Sequence, residues 1–243
     1  MAKLSGKSYF SARIVAAMVF ASCSFAHAQF YSVPSPNLQI ITNNVASEAF
    51  RDSVRISSAQ DDDEDTLNSA ALSFKPSAAV RQRNISSFIG KTREQSEENA
   101  SQMEQLFASI DVFSAMAKEL ATVDLRIDNV ADAYTVYWIT AWEASRGISG
   151  TKTSVGQAQA VKAQAARALL SLPQFTGSTA AQKQELAEAL LIQTALIGGS
   201  MGQANGDKKL LSGIAKAVRQ GAKAMAIDLD SMQLEENGFS FVQ

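Results

Sequence analysis

From residue 77 onward the apolar positions change to a pattern that recurs at the three- and four-residue spacings of a helix. Ile85, Phe88 and Ile89, for example, mark one face of a first helix. The repeated pattern predicts a single all-α, bundle-like domain of about six helices over 77–243.

The segment 130–144 differs from the other predicted helices because it is apolar nearly all round. Its large aromatic side chains are Tyr134, Tyr137, Trp138 and Trp142. A helix without a polar face is typical of the middle of a bundle, so we expect this helix to be central, with Asp128 or Asn129 as its cap. The same aromatic residues are candidates for binding a ligand or a partner, although rings at helical spacing more often belong to a core.

Two later helices carry the sequence signature of a capping box. Ser154 precedes Gln157 by three residues, and Thr179 precedes Gln182 in the same way. In each pair the hydroxyl and the amide exchange hydrogen bonds with backbone N–H groups at the helix start. Pro173 is expected to stop the first of these helices.

Residues 29–76 are predicted to form a largely disordered, acidic tail. They contain five consecutive acidic residues at 61–65, together with scattered prolines, serines and asparagines. Such a composition buries too little apolar surface to order the chain, and the acidic run lacks the ligand spacing and glycine of a calcium-binding loop. Two short apolar pieces, 38–41 and Leu72 with Phe74, are candidate edge strands.

Residues 1–28 match an export signal. Basic residues precede an apolar run over 14–25, and Ala26 and Ala28 supply the small residues of a cleavage site. The apolar run is shorter than the roughly 20 residues that span a bilayer. We therefore expect cleavage near Ala28 and a periplasmic or secreted protein. A minority interpretation takes 20–23 as a lipobox, which would leave Cys23 as a lipid anchor.

Loss of the signal would remove the one cysteine and the one histidine of the chain, Cys23 and His27. Without a thiol or an imidazole, many nucleophilic and metal-binding sites are excluded, and we expect neither a metal nor a cofactor. The formal net charge of −2 lacks the basic excess of nucleic-acid-binding proteins and equally disfavours an anionic membrane surface. No further stretch is long and apolar enough to form a transmembrane segment.

Carboxylates are the remaining route to hydrolysis. Glu143 is the candidate catalytic acid, because a carboxyl group among aromatic rings has a raised pKa. Asp132 is about 16 Å away along the same helix, too far for a glycosidase pair. Capping by Asp128 and an ion pair between Glu143 and Arg146 are the simpler interpretations.

Two short motifs match the sequence patterns of serine nucleophiles. Gly198 to Gly202 fits the G-x-S-x-G elbow, but that motif needs a strand-to-helix turn and a histidine. Ser149 and Lys152 fit Ser-x-x-Lys but lack the companion motifs of that enzyme class. Both are interpreted as structural.

Four stretches resemble an uncharacterised family of exported bacterial proteins, a domain-of-unknown-function family from Gram-negative bacteria. They are 128–144, 164–170, 182–193 and 217–239, so the resemblance covers roughly 77–239. It implies an exported, helical protein and identifies no catalytic residue.

The sequence therefore favours a non-enzymatic exported protein that binds a protein or envelope component. A carboxylate-dependent hydrolase of envelope glycans or peptides that uses Glu143 is the second hypothesis. A carrier of a small apolar ligand, bound by the aromatic helix, is the third.

Overall fold

The computed structural model describes residues 9–10, 45–56, 70–148 and 153–242. The helices in this part of the chain are α1 (Val45–Ile56), α2 (Ala78–Gln95), α3 (Glu97–Ser109), α4 (Val112–Leu120), α5 (Val130–Ser145), α6 (Val155–Leu170), α7 (Pro173–Thr176), α8 (Ala180–Ala204) and α9 (Lys208–Ala224). The short strands are β1 (Tyr9–Phe10), β2 (Thr153–Ser154), β3 (Met232–Glu235) and β4 (Gly238–Phe241). The all-α prediction is confirmed.

Helix α5 is the centre of the domain, as its sequence predicts. All of its residues except Trp142 are buried, and it packs against α6, α8 and α9. Asn129 caps it by accepting the backbone N–H groups of Ala131 and Asp132. Because neighbouring helices cover every side, α5 has no solvent face along which to place polar residues.

Both predicted capping boxes are present. Ser154 begins α6 and Thr179 begins α8, each with its glutamine returning the hydrogen bond. Helix α6 ends at Leu170, and Pro173 starts the short helix α7 rather than extending α6. These caps satisfy backbone donors that would otherwise be left open at the helix starts.

Helix α1 lies inside the segment 29–76 that is predicted to be a disordered tail, so part of that segment is ordered. Its Phe50 is fully buried, and the ring lies 5.2 Å from that of Tyr134 and 6.0 Å from that of Trp138. Helix α1 packs along α6 and also contacts β4. Residues 45–56 are therefore part of the domain, and the acidic run at 61–65 lies outside the described residues.

The predicted docking of Leu72 and Phe74 is also present. Ser73 forms an isolated antiparallel bridge with Asn129, and the backbone N–H of Val130 donates to the Leu72 carbonyl at 2.8 Å. Both apolar side chains are buried. The other candidate edge strand, 38–41, lies outside the described residues.

Strands β3 and β4 form an antiparallel hairpin that Gln164 of α6 holds to the core. The Gln164 side chain accepts from the Phe239 N–H at 2.9 Å and donates to the Phe239 carbonyl at 2.7 Å. Gly238 has a φ of 102°, and a Cβ there would lie 2.8 Å from Gln164 Oε1. This close approach requires glycine at 238.

Strand β1 pairs antiparallel with β2 through two residues of backbone. The rest of the predicted signal, including Cys23, His27 and Ala28, lies outside the described residues. Cleavage near Ala28 and the lipid anchor at Cys23 therefore stay predictions.

Candidate functional site

Glu143 lies near the C-terminal end of α5 and is 4 % exposed. The hydroxyl of Thr153, in β2, faces its carboxyl group and lowers the pKa, but burial dominates and raises the pKa of Glu143 to about 8. The negative end of the helix dipole also disfavours a carboxylate at this position. Glu143 is therefore protonated at neutral pH, which is the state that a general acid requires.

The expected ion pair between Glu143 and Arg146 is not formed. The Arg146 guanidinium lies 4.6 Å from the centre of the Trp142 ring and donates to the carbonyls of Leu229 and Met232. Trp142 Nε1 also donates to the Met232 carbonyl, at 3.0 Å. Through these contacts the arginine joins the C-terminal end of α5 to the start of β3.

The opposite end of α5 buries a second acid, Asp132, in a different setting. Lys162 Nζ of α6 lies 2.9 Å from Asp132 Oδ1, and the Arg126 backbone N–H donates to Oδ2 at 2.9 Å. Both side chains of the pair are buried. Burial raises the pKa of Asp132, and Lys162 opposes that rise. This arrangement is a buried ion pair that joins α5 to α6.

Asp124, Asp128 and Asp132 recur at every fourth residue, a spacing that predicts a shared helix face if the helix starts early enough, but the structure does not place them on one face. Asp124 has a left-handed backbone conformation after α4, Asp128 pairs with Arg126 at 2.9 Å, and only Asp132 lies within α5. In the described residues, no group of three acidic, histidine or cysteine side chains is placed to hold a metal.

Three of the four candidate aromatic side chains are core residues. Tyr134, Tyr137 and Trp138 are at most 5 % exposed, and Trp138 packs edge-on against both tyrosines. Trp142 is half-buried, and its ring lies 6.3 Å from that of Phe239. The rings contact one another and the neighbouring elements, as core residues do. Ligand binding by this cluster stays a prediction.

A third buried acid, Glu188, lies where α8 meets α2. Arg81 Nε donates to it at 2.8 Å, and the amides of Asn84 and Gln184 donate to it as well. In the sequence pattern, Glu188 falls with Lys183 and Glu185 on the outer side of its helix, which predicts that it faces water. This prediction is wrong because α2 packs across that side. The Arg81 guanidinium also covers the Phe113 ring, beside an open groove of about 360 Å³.

Helix α9 carries basic residues along one side, which we call the basic face. Its residues are Lys208, Lys209, Lys216, Arg219 and Lys223. At 100° per residue all five fall within an arc of about 100°, and no acidic residue occurs between 208 and 224. The opposite side of α9 is buried through Ala215, Val218 and Ala222.

The model of a family of unknown function, DUF6683, matches residues 10–242. The chain belongs to DUF6683. No curated protein and no solved structure matches it. The match confirms the resemblance to a domain-of-unknown-function family and extends it from 77–239 to nearly the whole chain. Like that resemblance, membership of DUF6683 assigns no catalytic residue.

In this DUF6683 chain the serine elbow is ruled out. Gly198 to Gly202 lie within α8, and the Ser200 hydroxyl donates to the Leu196 carbonyl of the preceding turn. A nucleophile elbow requires a turn after a strand. The Ser-x-x-Lys motif comprises residues 149–152, which lie outside the described residues.

Sequence reasoning missed the partner of Asp132 and the basic face. Lys162 interrupts the alanine-rich sequence of α6, and a lone lysine on a buried helix is a signal for an ion pair. The basic face was missed because net charge averages over the chain, whereas the spacing of Lys209, Lys216 and Lys223 by seven residues places them on one side of α9.

Proposed function

We propose that this protein is exported and acts without catalysis, by binding an anionic envelope component or protein through the basic face of α9. The observation that carries the proposal is the placement of five basic and no acidic residues on one helix whose other side is buried. A surface of one charge sign attracts partners of the opposite sign and raises their association rate.

The arrangement of the core supports a surface function. The aromatic residues of α5 are covered by α1 and β4, so a partner meets other parts of the molecule first. Among the described helices none has the length and apolar character to cross a membrane. Contact with the envelope through a surface is consistent with these features.

Export is proposed from the composition of residues 1–28 and is tested by the N-terminus of the protein recovered from cells. Mass spectrometry should find a chain that begins at Gln29. A lipidated Cys23 would place the protein at a membrane, and an intact Met1 in the cytoplasm would contradict export. Cleavage would remove β1, which pairs through only two residues, so the helical domain should stay folded.

Binding is tested by immobilising the protein and applying an envelope extract. Replacing Lys209, Lys216 and Lys223 by Gln should abolish retention of the envelope component. A matched control removes the same charge from Lys75, Arg83 and Lys118, which are exposed and lie off α9. Equal retention by both variants would contradict the proposal. Deletion of 29–76 is a poor test, because it removes the buried Phe50.

A second function is favoured by one observation, the raised pKa of Glu143. A carboxyl group that is protonated at neutral pH can donate a proton to a leaving group, as in the hydrolysis of a glycan. Its burial argues against substrate access in the structure described here. Glu143→Gln tests this hypothesis: hydrolysis of envelope polymers by the unmodified protein and not by the variant would support catalysis.

A further inference from the structure

We propose that the partner of the basic face is the surface of an anionic lipid bilayer, which α9 contacts lengthwise. This inference rests on the proposed binding function and names its partner. It depends on three features of α9: the length of its row of charges, the lack of internal neutralisation, and the apolar residues beside the row.

The row of charges has the dimensions to contact a flat surface. Lys208 and Lys223 are the ends of the basic face, and at 1.5 Å per residue they are about 22 Å apart. Lys209, Lys216 and Lys223 follow each other at two-turn intervals on one side. A straight helix lying on a surface therefore brings all of its lysines to the headgroups together.

Four of the five charges are unneutralised within the described chain. Arg219 pairs with Asp230 at 2.7 Å, whereas Lys208, Lys209, Lys216 and Lys223 are exposed and form no ion pair with another described residue. Each lysine near an anionic bilayer contributes about a fivefold gain in binding. A lysine that is already paired would lose part of this gain.

Beyond the Lys209 edge of the basic face, α9 exposes three apolar residues, Leu210, Gly213 and Ala224, which we call the apolar strip. Leu210 is 51 % exposed and lies about 100° around the helix from Lys209, whereas Ala217, between these residues, is buried. Gly147 abuts Leu211 at the same end of α9, which places the exposed Ile148 nearby. A bilayer offers both anionic headgroups and an apolar layer, and interfacial helices combine these two kinds of residue.

The apolar strip is what distinguishes a bilayer from other polyanions. A nucleic acid presents phosphates but no apolar layer for Leu210, and it is commonly bound through arginines, whereas four of the five charges here are lysines. An acidic protein presents separate carboxylates rather than a continuous charged plane. Lysine stems lie along the apolar boundary while their ammonium groups reach the headgroups.

The test is flotation of the protein, in the form recovered from cells, with vesicles of equimolar phosphatidylglycerol and phosphatidylcholine or of phosphatidylcholine alone. We expect salt-sensitive binding to the anionic vesicles only. Replacing Lys209, Lys216 and Lys223 by Gln should weaken it about 100-fold. The control variant at Lys75, Arg83 and Lys118 should change it less than about threefold, as a non-specific charge effect would.

Two further variants separate charge from packing. Replacing the same three lysines by Arg keeps the charge and should retain binding, even if the Gln variant is poorly folded by circular dichroism. Leu210→Ser should weaken binding to anionic vesicles severalfold at high salt, where the apolar contribution remains.

Several outcomes would overturn the lipid assignment. One is no binding of the unmodified protein to anionic vesicles, and another is equal loss in the two glutamine variants. A third is tighter binding to duplex DNA than to vesicles, with no effect of Leu210→Ser. If envelope extract still yields a partner that depends on the basic face, the proposed function stands and only its lipid identity fails. If neither is bound, both fail.

Discussion

The two ends of α5 each bury an acid, Asp132 in the first turn and Glu143 in the last. Asp132 receives a cation, Lys162, and a backbone N–H at the positive end of the helix dipole. Among the described residues, Glu143 has the Thr153 hydroxyl as its polar neighbour and receives no cation, at the negative end. Burial alone therefore does not set the protonation state of an acid. The partner supplied by α6 makes Asp132 part of an ion pair, whereas Glu143, which lacks a cation, is protonated near neutral pH.

The largest expected effect comes from breaking the ion pair. Lys162→Met should lower the free energy of unfolding by about 3–5 kcal/mol, because it leaves Asp132 buried without its cation. Urea unfolding at pH 7 measures the change. The double variant Asp132→Asn, Lys162→Met should recover most of the loss, since it leaves no buried charge. A loss below about 1 kcal/mol for Lys162→Met would contradict this assignment.

The second prediction concerns the pH dependence that Glu143 introduces. Its folded pKa of about 8 lies above the unfolded value of 4.5, so the folded state binds the extra proton between these values. The unmodified protein should lose stability relative to Glu143→Gln as pH rises through this window, by about 1.4 kcal/mol per unit, with the full benefit of the neutral acid retained below pH 4.5.

Thermal or urea unfolding from pH 4 to 9 compares the two proteins. Parallel stability curves would show that Glu143 is ionised in the folded protein and that the contrast with Asp132 is mistaken.

Gln164 on α6 provides an uncharged buried residue with which to compare Glu143. Gln164→Leu removes both hydrogen bonds to Phe239 and leaves its backbone groups buried without partners. We expect a loss of about 2 kcal/mol. Since no proton is involved, the loss should be the same at pH 5 and pH 8, unlike that caused by Glu143. A pH-dependent loss would indicate that β4 and Glu143 are coupled.

The smallest effect is expected at Thr153. Its hydroxyl lowers the pKa of Glu143, so Thr153→Val should move the upper limit of the pH window above about 8. The change in stability near pH 7 should be below about 1 kcal/mol. The pH at which the stability curve levels off reports the shift. Ser154→Ala, which removes the adjacent helix cap and a contact with Glu236 but leaves Thr153 in place, serves as the control. An unchanged limit would mean that the hydroxyl does not reach the carboxyl group.

Much of the architecture follows from local features of the sequence. The capping boxes at Ser154 and Thr179, the cap at Asn129 and the apolar helix α5 are all where the pattern predicts, because caps and helical period depend on neighbours within one turn. The sequence did not reveal how α1 docks. Ala46, Phe50 and Val54 do recur at helical spacing, but the polar composition of the surrounding segment obscures this signal, and the partners of Phe50 lie far along the chain.

The candidate site likewise combines features that follow from the sequence with features that do not. Glu143 is identifiable from its place among aromatic residues, but the sequence pairs it with Arg146, which instead binds the carbonyls of Leu229 and Met232. The exposure of Glu188 is misjudged, and the pairing of Lys162 with Asp132 is missed, for a related reason. Whether a charged residue on a helix faces water depends on which helix packs over it, and that information is not local.

The sequence by itself determined the helical class, most helix starts and the central place of α5, because these depend on residue type and on short-range spacing. Only the tertiary structure decided which acid meets a cation, which polar residues are covered, and that the other side of α9 is buried so that its lysines face outward. The reason is physical: desolvation and pairing arise between segments far apart in the chain, and burial sets their strength.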